Sequence, residues 1–150
     1  MATTLLPKDF KEFIQLLNSN SVEYLIIGGF AVGYHGFPRA TYDIDILISF
    51  KSENIEKVKN VLREFGFRFP EIFADNFWEY DKIFRMGNPP LRIELMFKAS
   101  GIEFDECFKD RITDELDGIQ VNIISLDDLK KNKLKAGRHK DLNDIENLPG

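Results

Sequence analysis

The sequence predicts an α/β (α+β) protein in which short apolar strands are interleaved with helices and a helical segment closes the chain. Three observations carry that expectation. Apolar residues recur at helical spacing in the first twenty residues and again after residue 52. Between and beyond those stretches lie short runs rich in Ile, Leu and Val, bounded by Gly, Pro, Asn or Asp. The chain has 150 residues, 43% hydrophobic and 30% charged, which suits one proper core and leaves little room for two. Residues 1–150 are therefore expected to form a single domain.

Each element follows from its own pattern. Phe10, Phe13, Ile14 and Leu17 mark a helix that Pro7 suits at its first turn and Asn18-Ser19-Asn20 closes. Tyr24 to Ile27 reads as a short buried strand ending at Gly28-Gly29, and Phe30 to His35 as one or two helical turns stopped by Gly36 and Pro38. Tyr42 to Ser49 alternates as a second strand. Ile55, Val58, Val61, Leu62 and Phe65 mark a helix ended by Gly66, and the stretch through PEIFADNFWEYD reads as loop with a short helix. Lys82 to Met86 and Leu91 to Met96 read as two strands joined across Gly87-Asn88-Pro89-Pro90. RITDELDGIQVNII is a hairpin signal with Asp117-Gly118 at its turn. Ser125 with Asp128 three positions later resembles an N-cap before a terminal helical region that Gly137 interrupts.

Composition narrows the class. The single cysteine, Cys107, can form neither an internal disulfide nor a zinc site by itself, in keeping with a reducing cytoplasm. MATTLLPKDFKEF lacks a basic segment followed by a long apolar run, so no export signal is expected, and no apolar stretch approaches the roughly 20 residues that span a bilayer. A net charge of −5 argues against a generally basic nucleic-acid coat. Charge is nevertheless local: Lys130 to Lys140 carries six Lys or Arg and no acid. That run reads either as a solvated helix face or as a patch for phosphate.

The chemistry concentrates in GGFAVGYHGFPRATYDIDI, residues 28–46. In a strand, residues two apart share a face, so Asp43 and Asp45 project together while Ile44 and Ile46 face the core. Burying a carboxylate costs several kcal/mol unless something pairs with it. Two oxygen ligands on one rigid strand suit a hard divalent ion such as Mg²⁺; the alternative is an edge strand with solvated acids. The paired glycines Gly28 and Gly29 would let a phosphate approach backbone N–H groups at a strand-to-helix turn. Glu94, in LRIELMF, is a third acid embedded in an apolar strand. If its strand lies beside that of Asp43 and Asp45 the three converge; otherwise Glu94 pairs with Arg92, its same-face neighbour. Arg39 either touches phosphate or stabilises its loop, and Thr41 leads with it into the Asp43 strand. His35 reads as a packing or capping residue, and Phe77 and Trp78 as core or interface.

Gly28-Gly29, thirteen intervening residues and then Asp43-Ile44-Asp45, together with DLKKNKLKAGRHKDLNDIENL at the end, resemble the nucleotidyltransferase superfamily of the polymerase-beta-like fold. The resemblance spans Val22 to Leu148 and is strongest to the branch around abortive-infection and toxin–antitoxin nucleotidyltransferases. It implies a mixed β-sheet flanked by helices, a nucleoside triphosphate gripped through Mg²⁺ (or Mn²⁺), and transfer of a nucleoside monophosphate with release of pyrophosphate. On these positions it implies Asp43, Asp45 and Glu94 as the catalytic and metal-binding acids. It implies Gly28, Gly29, Lys133, Arg138 and Lys140 as nucleotide-binding residues, with Asp141 in the same terminal motif; Arg39 and Thr41 are expected as further nucleotide contacts from their place in the loop before Asp43, not from the resemblance. The turn reads Gly-Gly where many active members have Gly-Ser, and the third acid is Glu where Asp is common.

Two functions follow as expectations. The first is an enzyme acting on a protein side chain, an RNA end or a small-molecule hydroxyl, with a partner protein or a homodimer supplying what a 150-residue chain lacks. The second is a catalytically degenerate module that binds nucleotide or a partner within a toxin–antitoxin-like system. A cytoplasmic location away from membranes is expected of either.

Overall fold

The computed structural model describes residues 6–37, 43–87 and 91–150. The apolar stripe of the first helix, α1 (Lys8–Ser19), turns inward as its spacing predicts, burying Phe10, Phe13, Ile14 and Leu17. Pro7 stands one position earlier than expected, as the N-cap. Strand β1 (Tyr24–Ile27) is buried along its whole length, as a continuous apolar run requires at the centre of a sheet. Helix α2 (Gly28–Tyr34) starts at the glycines themselves, two residues before the expected start. Gly28 can open it because its φ of +68° is available to glycine at no steric cost.

Strand β2 (Asp43–Ile48) alternates only in its first half; from Ile46 to Ile48 both faces are covered. Helix α3 (Ser52–Phe65) ends at Gly66 in the left-handed conformation. Its Phe65 ring meets Phe13 of α1 edge-on at 5.1 Å between centroids. The expected loop resolves into two 3₁₀ turns, Pro70–Phe73 and Asp75–Phe77. There the Trp78 indole is buried and donates to the Ile72 carbonyl at 2.8 Å, a structural role. The next two strands are β3 (Phe84–Met86), starting later than expected, and β4 (Arg92–Met96). Helix α4 (Phe104–Lys109) was not legible in the sequence. It has six residues and buries Cys107, too little for a helical period to declare itself. Strands β5 (Ile112–Leu116) and β6 (Ile119–Ile123) form the hairpin, with Asp117 and Gly118 both at positive φ as a type I′ turn demands. In α5 (Leu126–Ala136) the Ser125 hydroxyl accepts the Asp128 N–H, and Gly137 ends the helix before α6 (His139–Asn147).

The strands form one mixed sheet in the order β3-β4-β2-β1-β6-β5. β2 runs parallel to β4 and β1 parallel to β6, while the other neighbours are antiparallel. This is the mixed sheet flanked by helices that the resemblance implies. One buried polar residue staples the chain where it enters β1 and leaves β2. Asn54 of α3 accepts the Glu23 N–H at 2.8 Å and donates to the carbonyls of Glu23 and Ser49 at 3.1 and 2.9 Å. Among the described residues no helix is long and apolar enough to cross a membrane.

Candidate active site

The strand register determines which side chains meet. Asp45 of β2 lies opposite Ile27 of β1 on one side and Glu94 of β4 on the other, and Glu94 lies opposite Arg85 of β3. Asp43 lies opposite Arg92 in the neighbouring row. Because strand side chains alternate, these two rows share a face, and Ile44, Ile46, Ile93 and Leu95 fill the core on the other. The three acids therefore stand on adjacent strands of one face.

Glu94 does not pair with Arg92. Its partner is Arg85, with Nε 3.4 Å from Oε1, while Arg92 Nε lies 3.4 Å from Asp43 Oδ1. Cross-strand neighbours are closer than same-face neighbours two residues along a strand, so both arginines reach sideways. Among the described residues no side-chain hydrogen bond acts on the Asp45 carboxyl. Burial first, then the charges of Glu94 and Asp43, push its carboxyl up to about 6, against the partial relief of Lys133 and Lys140. Gly28 is pressed against that carboxylate: a Cβ built there would stand 2.2 Å from Asp45 Oδ2. The first glycine of the pair thus makes room for the aspartate.

These residues floor a cleft of about 540 Å³ that Gly28, Gly29, Asp45, Glu94, Lys133, Arg138 and Lys140 line together, with Arg85 and Asp141. Helices α5 and α6 supply its basic wall. Lys133 is 4% exposed, and its ammonium lies 3.2 Å from Asp141 Oδ1 and 3.1 Å from Asp144 Oδ2. Asp141 in turn accepts from Arg138 Nε at 2.7 Å and from the Arg138 backbone N–H at 3.1 Å. Burial alone would raise the Asp141 carboxyl, but the hydrogen bonds from Arg138 and Lys133 outweigh it and hold it below the usual carboxylate range. The reading of the lysine run as a solvated face therefore fails at Lys133. Lys133 and Lys140 do not share one helix either, because Gly137 separates α5 from α6.

Asp144 is the contributor that sequence reasoning missed. Its signal was present, since it follows Asp141 by one helical turn and both are acids in a stretch otherwise read for its lysines. Arg39 and Thr41 lie outside the described residues. His35 donates from Nε2 to the Ile124 carbonyl at 2.7 Å, which makes it a bracing residue.

Among the described residues no three of His, Cys, Asp and Glu are drawn together tightly enough to hold a metal ion as they stand. The donor set nonetheless has the right chemistry. Asp43, Asp45 and Glu94 are hard oxygen donors on one rigid face, and burial first, then the charges of Glu94 and Asp43, make the bare Asp45 carboxylate costly there.

Residues 6–148 match the model of a family described as nucleotidyltransferases of unknown function, DUF6036. The chain belongs to this nucleotidyltransferase family. Two solved structures share its fold. One is a Thermotoga maritima protein, TM1012, described as a candidate nucleotidyltransferase. It is 17% identical with a TM-score of 0.60, over 91% of this chain and 88% of that one. The other is the lincosamide antibiotic adenylyltransferase LnuA with lincomycin bound, 16% identical with a TM-score of 0.56, over 97% of each chain. At such identities the likeness is one of fold. No curated protein matches the sequence. Within the family fold, the acid floor and basic wall of this chain face each other across one cleft.

Proposed function

We propose that this family member transfers a nucleoside monophosphate from a nucleoside triphosphate to a hydroxyl acceptor, releasing pyrophosphate. The observation that carries the reading is the cleft itself. Asp45 and Glu94, on adjacent strands, lie opposite Lys133, Arg138 and Lys140, with Gly28 and Gly29 at the edge, and Asp43 stands on the same sheet face in the neighbouring row, outside the cleft lining. Asp43, Asp45 and Glu94 would hold Mg²⁺ or Mn²⁺, which supplies charge neutralisation at the phosphates and polarises the phosphoryl group under attack. Lys140 and Arg138, on the wall, attract and orient the polyphosphate. Lys133 is locked by two carboxylates that offset its charge, and it still partly relieves the Asp45 carboxylate across the cleft. In the reaction the acceptor oxygen bonds to the α-phosphorus and the bond to the β-phosphate oxygen breaks. The hydroxyl proton passes to a carboxylate, for which Glu94 is the proposed acceptor, and pyrophosphate leaves. Arg39 and Thr41 belong to the loop that leads into Asp43 and are proposed as further nucleotide contacts.

For the acceptor we favour a macromolecule, a protein side chain or RNA, within a toxin–antitoxin-like system in the cytoplasm, with a partner protein or second copy completing the acceptor site. That LnuA is an antibiotic adenylyltransferase keeps a small-molecule hydroxyl as the alternative acceptor. One observation favours a degenerate binding module instead: Gly28 is accounted for by its contact with Asp45, without any phosphate. Incubation with Mg²⁺ and each of the four labelled ribonucleoside triphosphates, with cell extract as acceptor source, separates these readings. Label transfer with pyrophosphate release, lost in Asp43→Asn and Asp45→Asn, is expected. Metal-dependent binding without pyrophosphate in any condition would establish the module, and no binding at all would overturn both.

A further inference from the structure

The two arginines that hold the outer carboxylates point to a cation exchange within the site. In the row Asp45–Glu94–Arg85 the guanidinium stands where a metal's charge would be felt, and Arg85 also lines the cleft. Its contact with Glu94 is one loose bond of 3.4 Å, and its side chain is 57% exposed, whereas that of Glu94 is 16% exposed. A pair of this kind is weak, so a divalent cation can take Glu94 from it at small cost. Once released, Arg85 has a planar, permanently charged fork at the edge of the cleft and no carboxylate opposite it. An incoming polyphosphate is the ligand that suits such a fork.

We infer that Arg85 is a triphosphate-binding residue held in reserve: it neutralises Glu94 until a divalent cation displaces it, and then grips the substrate's phosphates. This rests on the metal-cluster reading above. It gives Arg85→Gln opposite effects on two ligands, and Arg85→Lys, which keeps the charge without the fork, separates a grip on phosphate from a simple change of field. Removing the competitor should tighten binding of the bare metal, while removing the fork should loosen binding of the polyphosphate.

The test is isothermal titration of the full chain with Mn²⁺ alone and then with magnesium tripolyphosphate, which carries the triphosphate without a base. Wild type, Arg85→Gln, Arg85→Lys and Asp45→Asn are compared, with circular dichroism as the check on folding. Arg85→Gln should bind Mn²⁺ roughly two- to fivefold more tightly. The same variant should bind magnesium tripolyphosphate roughly tenfold or more weakly, with Arg85→Lys between it and wild type. Unchanged or weakened Mn²⁺ binding in Arg85→Gln overturns the competition, and unchanged tripolyphosphate binding overturns the transfer. If wild type binds Mn²⁺ and Asp45→Asn does not, either failure is that of the Arg85 inference alone. If wild type binds no Mn²⁺, the metal-cluster reading falls and takes this inference with it.

Discussion

Asp45 shows how one side chain connects stability to chemistry. Its carboxyl is raised from 3.8 to about 6 by burial and by its acidic neighbours. A folded-state value above the unfolded one means that the folded chain holds the proton more tightly. The stabilisation from that proton is fully present below the ordinary value and is lost as pH rises through about 6. At neutral pH the ionised group therefore opposes folding, by an amount on the order of 3 kcal/mol. Asp45→Asn should accordingly melt higher than wild type at pH 7 without divalent cations, and the difference should shrink toward pH 4. Calorimetric melts at both pH values check this, and a lower melting point for the variant at pH 7 contradicts it. A residue that weakens the fold it sits in is what a charged binding site entails.

The element scale is where α5 and α6 acquire their fixed relation. Lys133, Asp141 and Asp144 are all buried, and Arg138 adds a bidentate hold on Asp141 from the exposed side. A buried pair adds little to stability when compared with apolar residues, but breaking it strands charge in the interior. Lys133→Met should therefore cost about 3–5 kcal/mol by leaving two carboxylates facing each other. Adding Asp144→Asn should recover part of that loss. Urea unfolding of the single and double variants measures both effects. A loss below about 1 kcal/mol would mean that the network is solvated and Lys133 is free to move. Asn54, by contrast with Asp144, was illegible beforehand: a polar residue at a buried helix position looks like any surface residue until its partners are known.

At the scale of the whole molecule, the cleft joins segments far apart in the chain: β2, β4 and β3 beneath, α5 and α6 above, α2 at the edge. A ligand that bridges them binds only the folded state and must stabilise it by mass action, by about 2.7 kcal/mol at a hundredfold excess over Kd. For a chain of this length that is a rise of roughly 5–10 °C in Tm. Thermal melts with Mg²⁺ and each ribonucleoside triphosphate should show such a rise for at least one of them. It should vanish with EDTA and in Asp45→Asn. A rise that survives EDTA would place nucleotide binding outside the acid cluster.

Local pattern determined much of this protein by itself. Strand β1, the apolar stripes of α1 and α3, the Asp117-Gly118 turn, the Ser125 cap and the break at Gly137 all follow from chain chemistry within a few residues. The same-face placement of Asp43 and Asp45 follows from the period of a strand. Only the tertiary structure decided that β4 lies parallel beside β2 in the register that sets Glu94 against Asp45. It alone gave Arg85 to Glu94 and Arg92 to Asp43, and it alone turned Lys133 from a surface lysine into a buried one held by α6. The reason is physical. Periodicity and turn chemistry act over neighbouring residues, whereas the pairing of charges is chosen by which strands and helices come to lie side by side.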